Sequence, residues 1–366
     1  PGWNGEYDWA GFLDTSEHPC SMNPPEGFIG TANHRTVPPD FPYVLSSSWY
    51  WPERAERIAE IINSRDPHSL ETSMAMQCDT FSPYVLKMQN ALLKGALHQA
   101  IETEINAWGK TPHRQQKARE AMRMLERLDG SMSRDSKEAA IVGALLHTMT
   151  RNTFFDELGP SDTAAWKSLL SGLSHSYCAT SDHLVVRGEE SPFWDDTATP
   201  GKETKAQILA KSFADAIEVL EKHLGKNRAE WAWGELHTYY FETEASKMAQ
   251  QMGLIQRIAM KFLSPYFNRG PFPAPGDHTT LNVSAYAMAK NFDTWLIPAM
   301  RIIVDFNLDE PFYAVNSTGQ RDNPVSPHYD DALQEWRLCN YRPMPFKEEN
   351  IEKQYDRILI LKPSVH

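Results

Sequence analysis

The stretch NPPEGFIGTANHR (residues 23–35) is the best indicator of how this chain folds. Its apolar run GFIGTA is short, contains few helix-forming residues and is bounded by Gly and Pro, which is typical of strands separated by turns. Residues 1–50 as a whole show the same pattern of short apolar runs separated by Gly and Pro. Pro52 then opens the run ERAERIAEIINS, whose apolar residues recur at helical spacing. We therefore predict a β-rich segment that passes into a helix.

The rest of the chain divides into a helical and a second β-rich part. Between residues 68 and 262, runs such as YVLKMQNALLKGALHQAIETEI and KAQILAKSFADAIEVLEKHL follow the helical period. After residue 263, the short runs MRIIVDF, PFYAVN and DRILILKP predict strands. The predicted class is α+β, with a large helical insertion (65–262) between β-rich ends (1–64 and 263–366). We expect the terminal strands to pair in one sheet, with helices outside it.

Composition narrows the range of partners. The chain has 366 residues, of which 41% are apolar and 23% charged, as in an ordinary globular protein. The formal charge of -12 argues against a nucleic-acid or anionic-membrane partner, and no apolar run approaches the roughly 20 residues that cross a bilayer. The start, PGWNGEYDWAGF, is neither an initiation site nor a signal peptide, so we expect that an upstream part has been removed.

The four cysteines do not form a metal-binding or redox motif. Cys20, Cys78, Cys178 and Cys339 lie far apart, without a C-x-x-C pair. Up to two disulfides are compatible with the sequence and none is required. Buried free thiols are the favoured interpretation.

Six segments, in this order along the chain, resemble the β-subunit of penicillin acylases, a branch of the N-terminal-nucleophile (Ntn) hydrolases. They are GEYDWAGF (5–12), NPPEGFIGTANHR (23–35), DFPYVLSSSWYWPERAERI (40–58), WAWGELH (231–237), FPAPGDHTTLN (272–282) and GQRDNPVSPHYDDALQEWRLCNYRPM (319–344). The resemblance identifies the C-terminal portion of such a subunit. It implies part of an αββα sandwich, cut autocatalytically from a periplasmic or secreted precursor.

The resemblance also implies that the chemistry is shared with other polypeptides. The family's nucleophile is a Ser, Cys or Thr that begins a chain and uses its own α-amine, of pKa about 7.7–8.0, as the base. This chain begins with Pro1, so the expected partners are the α-subunit and the N-terminal portion of the β-subunit, both from the same precursor. No cofactor is required for such chemistry.

Two residues match the family's active site. Asn33 matches the asparagine whose side-chain amide donates to the tetrahedral oxyanion; outside the family, an Asn in such a loop would be a turn residue. Arg54 matches an arginine beside the active site that holds the nucleophile's surroundings and the substrate's polar end. The alternative for Arg54 is a solvated helix residue paired with Glu53, Glu56 or another nearby acid.

Three further histidines lie in segments that resemble the family. His34 either reaches the cleft or, as we favour, makes a local hydrogen bond. For His237 we expect a hydrogen bond in the core or behind the site. His328 lies beside Asp330 and Asp331 in SPHYDDAL; we predict that the two acids lie at a helix N-terminus, rather than binding a metal.

Calcium has little support in the sequence. Some relatives bind Ca²⁺ through an aspartate in the segment that corresponds to residues 42–46, which here reads PYVLS. Asp40 is the nearby carboxylate, whereas Ca²⁺ takes several oxygen ligands. A structural calcium ion is compatible with the resemblance to the family, but this segment does not support it and no ligand is assigned.

The predicted function is hydrolysis of a linear amide by acyl transfer to a nucleophile on another chain. Antibiotic side-chain amides, N-acyl homoserine lactones and other N-acyl amines all fit. The alternative is a non-catalytic structural or binding module on the same fold. An independent hydrolase built on His328 is disfavoured, because no Ser or Cys has a recognisable nucleophile context.

Overall fold

A bundle of helices forms the largest core in the computed structural model. The structure describes residues 2–46, 49–64, 67–109, 111–158, 163–164, 185–186, 188, 190–250, 253–287 and 290–363. Within them the helices are α1 Glu53–Asn63, α2 Leu70–Gln77, α3 Pro83–Leu93, α4 Gly95–Ala107, α5 Pro112–Glu126, α6 Lys137–Phe154, α7 Lys205–Leu224, α8 Trp233–Leu236, α9 Glu244–Gln250, α10 Leu254–Phe267, α11 Leu333–Arg337 and α12 Glu348–Gln354.

Helices α5, α6 and α7 pack against one another and bury their apolar faces. Helix α7 confirms the periodicity of KAQILAKSFADAIEVLEKHL, and it begins with a capping box between Thr204 and Gln207. The run from Tyr84 is less simple. It forms two helices, α3 and α4, because Lys94 is extended and Gly95 has φ +71°.

Trp233 connects this bundle to the C-terminal part of the chain. Its ring is fully buried, and a Cβ on Gly143 of α6 would approach that ring to 2.3 Å. Its indole Nε1–H donates to the carbonyl of Gly276 at 2.9 Å. Because only glycine leaves room for the ring at position 143, Trp233 packs directly against the backbone of α6 while its indole bonds to the loop at Gly276.

In the part of the chain that the structure describes, seven short strands form three separate antiparallel sheets. The pairs are β1 Thr238–Phe241 with β2 Arg269–Pro273, and β3 Ala285–Tyr286 with β4 Thr294–Leu296; the third sheet has the order β5 Met300–Val304, β6 Phe312–Asn316, β7 Arg342–Met344. Strands β5 and β6 confirm the predictions from MRIIVDF and PFYAVN. In β5, Arg301 and Ile303 face the interior while the alternate residues face outward.

The expectation that strands from both ends pair in one sheet is wrong for the described residues. In residues 2–46 and 49–52 the regular features are a 3₁₀ turn, Thr15–Glu17, and a single bridge between His34 and Tyr50. A strand persists only beside a partner that satisfies its backbone groups, and the described chain supplies little pairing here. The apolar run at 358–361, expected as a strand, is exposed without pairing for the same reason. The division at residues 64 and 262 stays a prediction.

Helix α1, which carries Arg54, is fixed by ion pairs on two sides. Lys87 of α3 contacts Glu53 at 2.8 Å and Glu56 at 3.0 Å. Arg57 contacts Asp79 at 2.5 Å, and its guanidinium lies 4.4 Å from the centre of the Phe81 ring. The start of α1 is therefore held against the bundle, which sets the position of Arg54.

A disulfide joins Cys78, directly after α2, to Cys339, two residues after the end of α11. The interpretation of these two residues as free buried thiols is thus wrong. The sequence does not reveal this pairing, because the two cysteines are 261 residues apart and only the folded chain brings them together. Cys20 is free but exposed, and Cys178 lies outside the described residues. Among the described helices, none is both long and apolar enough to cross a membrane.

Candidate active site

Asn33 lies in a loop whose backbone conformation is unusual. Its φ is +64°, a left-handed conformation that Asn tolerates better than most residues with a Cβ. Tyr50, which forms the isolated bridge with His34, holds this loop in place. Its N–H donates to the carbonyl of Asn33 at 3.0 Å. The side chain remains exposed.

Arg54 orients the side-chain amide of Asn33. Its Nη2 donates to the carbonyl oxygen of Ala32 at 2.7 Å and to Oδ1 of Asn33 at 3.0 Å. A guanidinium only donates, so the amide atom that faces it must be the oxygen. The amide NH₂ is consequently directed away from Arg54, where it can donate to another acceptor.

The solvated alternative for Arg54 is not what the structure contains. Glu53 and Glu56, its candidate partners, instead pair with Lys87. The guanidinium lies 5.5 Å from the ring centre of Tyr50. Burial lowers the pKa of Arg54, and the nearby Tyr50 opposes this only in part. Arg54 is thus a partly desolvated cation whose polar contacts are with the Asn33 loop.

Asn33 and Arg54 lie at the junction of two cavities. The larger, of about 500 Å³, has mainly apolar walls from α1, α2 and β5, including Ile58, Met76 and Ile302. The smaller, of about 240 Å³, is lined on its other sides by aromatic and apolar residues: Tyr50, His278, Val283, Ala285, Trp295, Leu296, Ile297 and Pro298. A molecule that contacts the Asn33 amide therefore has room on both sides.

His278 and Arg301 line these cavities, and sequence reasoning gave neither of them a role. His278 follows Asp277, whose carboxylate Oδ1 accepts from the N–H and the hydroxyl of Thr279, both at 2.7 Å. This loop is buried, and the His278 ring lies 5.9 Å from that of Trp51. The signal was the segment FPAPGDHTTLN itself, in which four consecutive polar residues, DHTT, fall in an otherwise apolar context.

His34 and His237 both have structural roles. Nδ1 of His34 accepts from the N–H of Ala32 at 3.4 Å, which confirms the local hydrogen bond. His237 is fully buried, stacks on Trp233 at 4.5 Å and donates from Nδ1 to the carbonyl of Phe292 at 2.6 Å. Burial lowers the pKa of His237 to about 4, so the ring is neutral near pH 7. The expected core hydrogen bond is confirmed.

Asp330 and Asp331 lie directly before the N-terminus of α11, as predicted, but the expectation that their side chains cap it is wrong. Helix α11 begins after Ala332 without a side-chain cap. Asp330 pairs with Arg269, while Asp331 contacts Arg342 at 3.3 Å and His328 at 3.2 Å. Because these ion pairs occupy both carboxylates, neither side chain caps the five-residue helix that follows. Over the described ranges, no group of three or more His, Cys, Asp or Glu side chains is arranged to bind a metal.

Comparison with known proteins gives the family. The sequence profile of the family "Penicillin amidase" matches residues 1–353. The chain is 46% identical over 369 residues to the acyl-homoserine lactone acylase QuiP of Pseudomonas aeruginosa. This alignment covers 100% of the chain and 43% of that protein. It is 25% identical to the penicillin acylase 2 proenzyme of Pseudomonas sp. (strain SE83), over 96% of this chain and 40% of the relative.

Among solved structures, the chain is similar to a thermostable penicillin G acylase from Alcaligenes faecalis, with a TM-score of 0.46 and 14% identity. The match covers 99% of this chain and 62% of the acylase chain, and it is too distant to add structural detail. The chain spans less than half the length of these curated relatives. The profile nonetheless covers nearly every residue, including the Asn33 loop and Arg54. The chain belongs to the penicillin amidase family.

Proposed function

We propose that this chain forms part of an amidohydrolase, in which Asn33 supplies one donor of the oxyanion hole. The observation that carries the proposal is the bond from Arg54 Nη2 to Asn33 Oδ1 at 3.0 Å, which directs the amide NH₂ away from the guanidinium at the junction of two cavities. A neutral NH₂ stabilises negative charge that develops in the transition state and does not compete as a base.

The reaction then runs by acyl transfer. A Ser, Cys or Thr at the start of another chain attacks the amide carbonyl, after its own α-amine has accepted the nucleophile's proton. The carbonyl oxygen becomes an oxyanion and accepts a hydrogen bond from Asn33. Collapse of this intermediate breaks the C–N bond, and the proton passes to the leaving amine. Water hydrolyses the acyl ester or thioester in a second, similar step.

The expected assembly is the family's αββα sandwich, completed by an α-subunit and the N-terminal portion of the β-subunit from the same precursor. Autocatalytic processing and a periplasmic or secreted location belong to the same proposal. The disulfide between Cys78 and Cys339 supports that location, because disulfides persist in oxidising compartments. For a structural calcium ion, we expect most of the ligands to lie on the other chains of the assembly.

The substrate we propose first is an N-acyl homoserine lactone. Relatives with that activity in their names match this chain at 37–46% identity, above the penicillin acylase 2 proenzyme at 25%. The apolar walls of the 500 Å³ cavity suit an aliphatic acyl chain. Antibiotic side-chain amides are the second substrate class to test.

Amine release tests this function. The assembled protein that contains this chain should liberate homoserine lactone from its N-octanoyl derivative, which an amine-reactive fluorophore detects. Opening of the lactone ring would leave the amide intact and produce no amine, so the readout is specific for amide hydrolysis. Binding without amine release from any N-acyl amine would support the non-catalytic module instead and would refute the proposal.

A further inference from the structure

Helix α10, Leu254–Phe267, turns an apolar face away from the rest of the chain. Met260, Ser264 and Phe267 recur at helical spacing and form its half-buried side. The opposite side carries large apolar residues, each between 45% and 80% exposed: Leu254, Ile255, Ile258, Phe262, Leu263 and Tyr266. A surface helix normally buries its apolar stripe, and a contiguous exposed one marks an interaction surface.

The charge around this face is positive, although the whole chain has a formal charge of -12. Residues 245–276 include no Asp or Glu, and their basic residues are Lys247, Arg257, Lys261 and Arg269. The first and the last of these pair with carboxylates. Arg257 and Lys261, one turn apart on α10, are exposed, and neither forms an ion pair within the described residues. Two uncompensated cations thus lie at the edge of the apolar face.

An apolar stripe edged by basic residues is typical of a helix that lies in the plane of a membrane surface. Its apolar and aromatic side chains enter the lipid, while Lys and Arg reach the anionic headgroups. The 14 residues of α10 are fewer than the roughly 20 that cross a bilayer, so such a helix lies on the surface. Protein–protein interfaces, by contrast, are depleted of Lys. The local charge therefore favours lipid as the occupant, even though the charge of the whole chain opposes it.

We propose that α10 docks the protein on the surface of a bilayer that contains anionic phospholipid. Leu254, Ile258 and Phe262, which follow one another at intervals of one turn, enter the lipid. Arg257 and Lys261 pair with headgroup phosphates. The inference goes beyond the proposed amidohydrolase function and does not depend on it, because binding to lipid requires no turnover.

Co-sedimentation of the assembled protein with vesicles tests the docking. Vesicles of phosphatidylglycerol and phosphatidylcholine in equal amounts should bind the protein more strongly than vesicles of phosphatidylcholine alone, and added salt should weaken the difference. The double variant Arg257→Gln with Lys261→Gln should lose about 25-fold in affinity for the anionic vesicles, since each basic residue near such a surface contributes about 5-fold. Its affinity for the neutral vesicles should stay as in the wild type.

Phe262→Ser and Phe306→Ser form a matched pair of variants. Both rings are exposed, by 75% and 91%, but Phe306 lies in the loop between β5 and β6 beside Asp305 and near Asp309. Phe262→Ser should lower the affinity for anionic vesicles about 10-fold, because a large apolar side chain no longer enters the lipid. Phe306→Ser should match the wild type. Amine release should be unchanged in both variants.

Hydrogen exchange of the wild type provides a second measurement, which decides if Phe262→Ser does not fold. Anionic vesicles should slow amide exchange in residues 254–267, and phosphatidylcholine vesicles should not. Equal affinity for the two kinds of vesicle, wild-type affinity in Phe262→Ser or no binding at all would overturn the proposal. If the wild type does not bind and Phe262→Ser loosens the association of the subunits, the face belongs to a contact with another chain of the assembly.

Discussion

The Asn33→Ala variant is expected to lose about 10²- to 10³-fold in kcat, the usual consequence of removing one oxyanion donor. KM should change much less, because the bond to the amide NH₂ strengthens only as negative charge develops on the substrate oxygen. Steady-state kinetics of amine release on the assembled protein would measure both parameters. Assembly should be unaffected, since the side chain is exposed.

Two further variants separate chemistry from backbone strain. Asn33→Asp keeps the shape of the side chain and its contact with Arg54 but removes the donor, so it should be nearly as slow as Asn33→Ala. Asn23→Ala is the matched control, because Asn23 is also exposed and has φ +48°, yet it lines neither cavity. An active Asn33→Asp enzyme would remove the amide NH₂ from the mechanism.

Loss of the disulfide is the second large effect that we expect. The double variant Cys78→Ala with Cys339→Ala should lower the free energy of unfolding by roughly 2–5 kcal/mol, as is typical when a native disulfide is removed. The bond closes a loop over 261 positions and joins the ends of α2 and α11. The midpoint of urea unfolding, measured on the assembled protein, should fall accordingly.

The site should respond as well, because the disulfide is next to residues that line it. Gln77, beside Cys78, donates to the carbonyl of Ile302 at 2.9 Å and accepts from the hydroxyl of Tyr341 at 2.5 Å. We therefore expect KM to rise in the double variant. Cys20→Ala, which removes an exposed free thiol, is the control and should match wild type. An unchanged unfolding midpoint in the double variant would show that the disulfide adds no stability.

Local patterns predicted the helices well and the sheets poorly. The run Lys205–Leu224 carries its own capping box and apolar face, so its structure is decided by nearby residues. The strands expected in residues 1–50 and at 358–361 depend instead on partners that the described chain does not supply. The pairing of Cys78 with Cys339 depends likewise on tertiary approach, which spacing does not reveal.

The candidate site shows the same division. Asn33 and Arg54 were assigned through the resemblance, and their contact was not foreseen, because it depends on how the loop meets the start of α1. Arg301 gave no signal in sequence, where MRIIVDF reads as a half-buried strand. Its place in the cavity wall follows from packing, which only the folded structure shows.

The central claim is that Arg54 acts on the reaction through Asn33, and a double-mutant cycle in kcat tests it most directly. Arg54→Lys keeps the charge, but its shorter side chain withdraws the donor from the position of Nη2, the one atom that contacts both Ala32 and Asn33, so alone it should slow turnover. Combined with Asn33→Ala, it should add almost nothing, because the group that it orients is already absent. If the two losses multiply in the double variant, Arg54 and Asn33 act independently, and the account is contradicted.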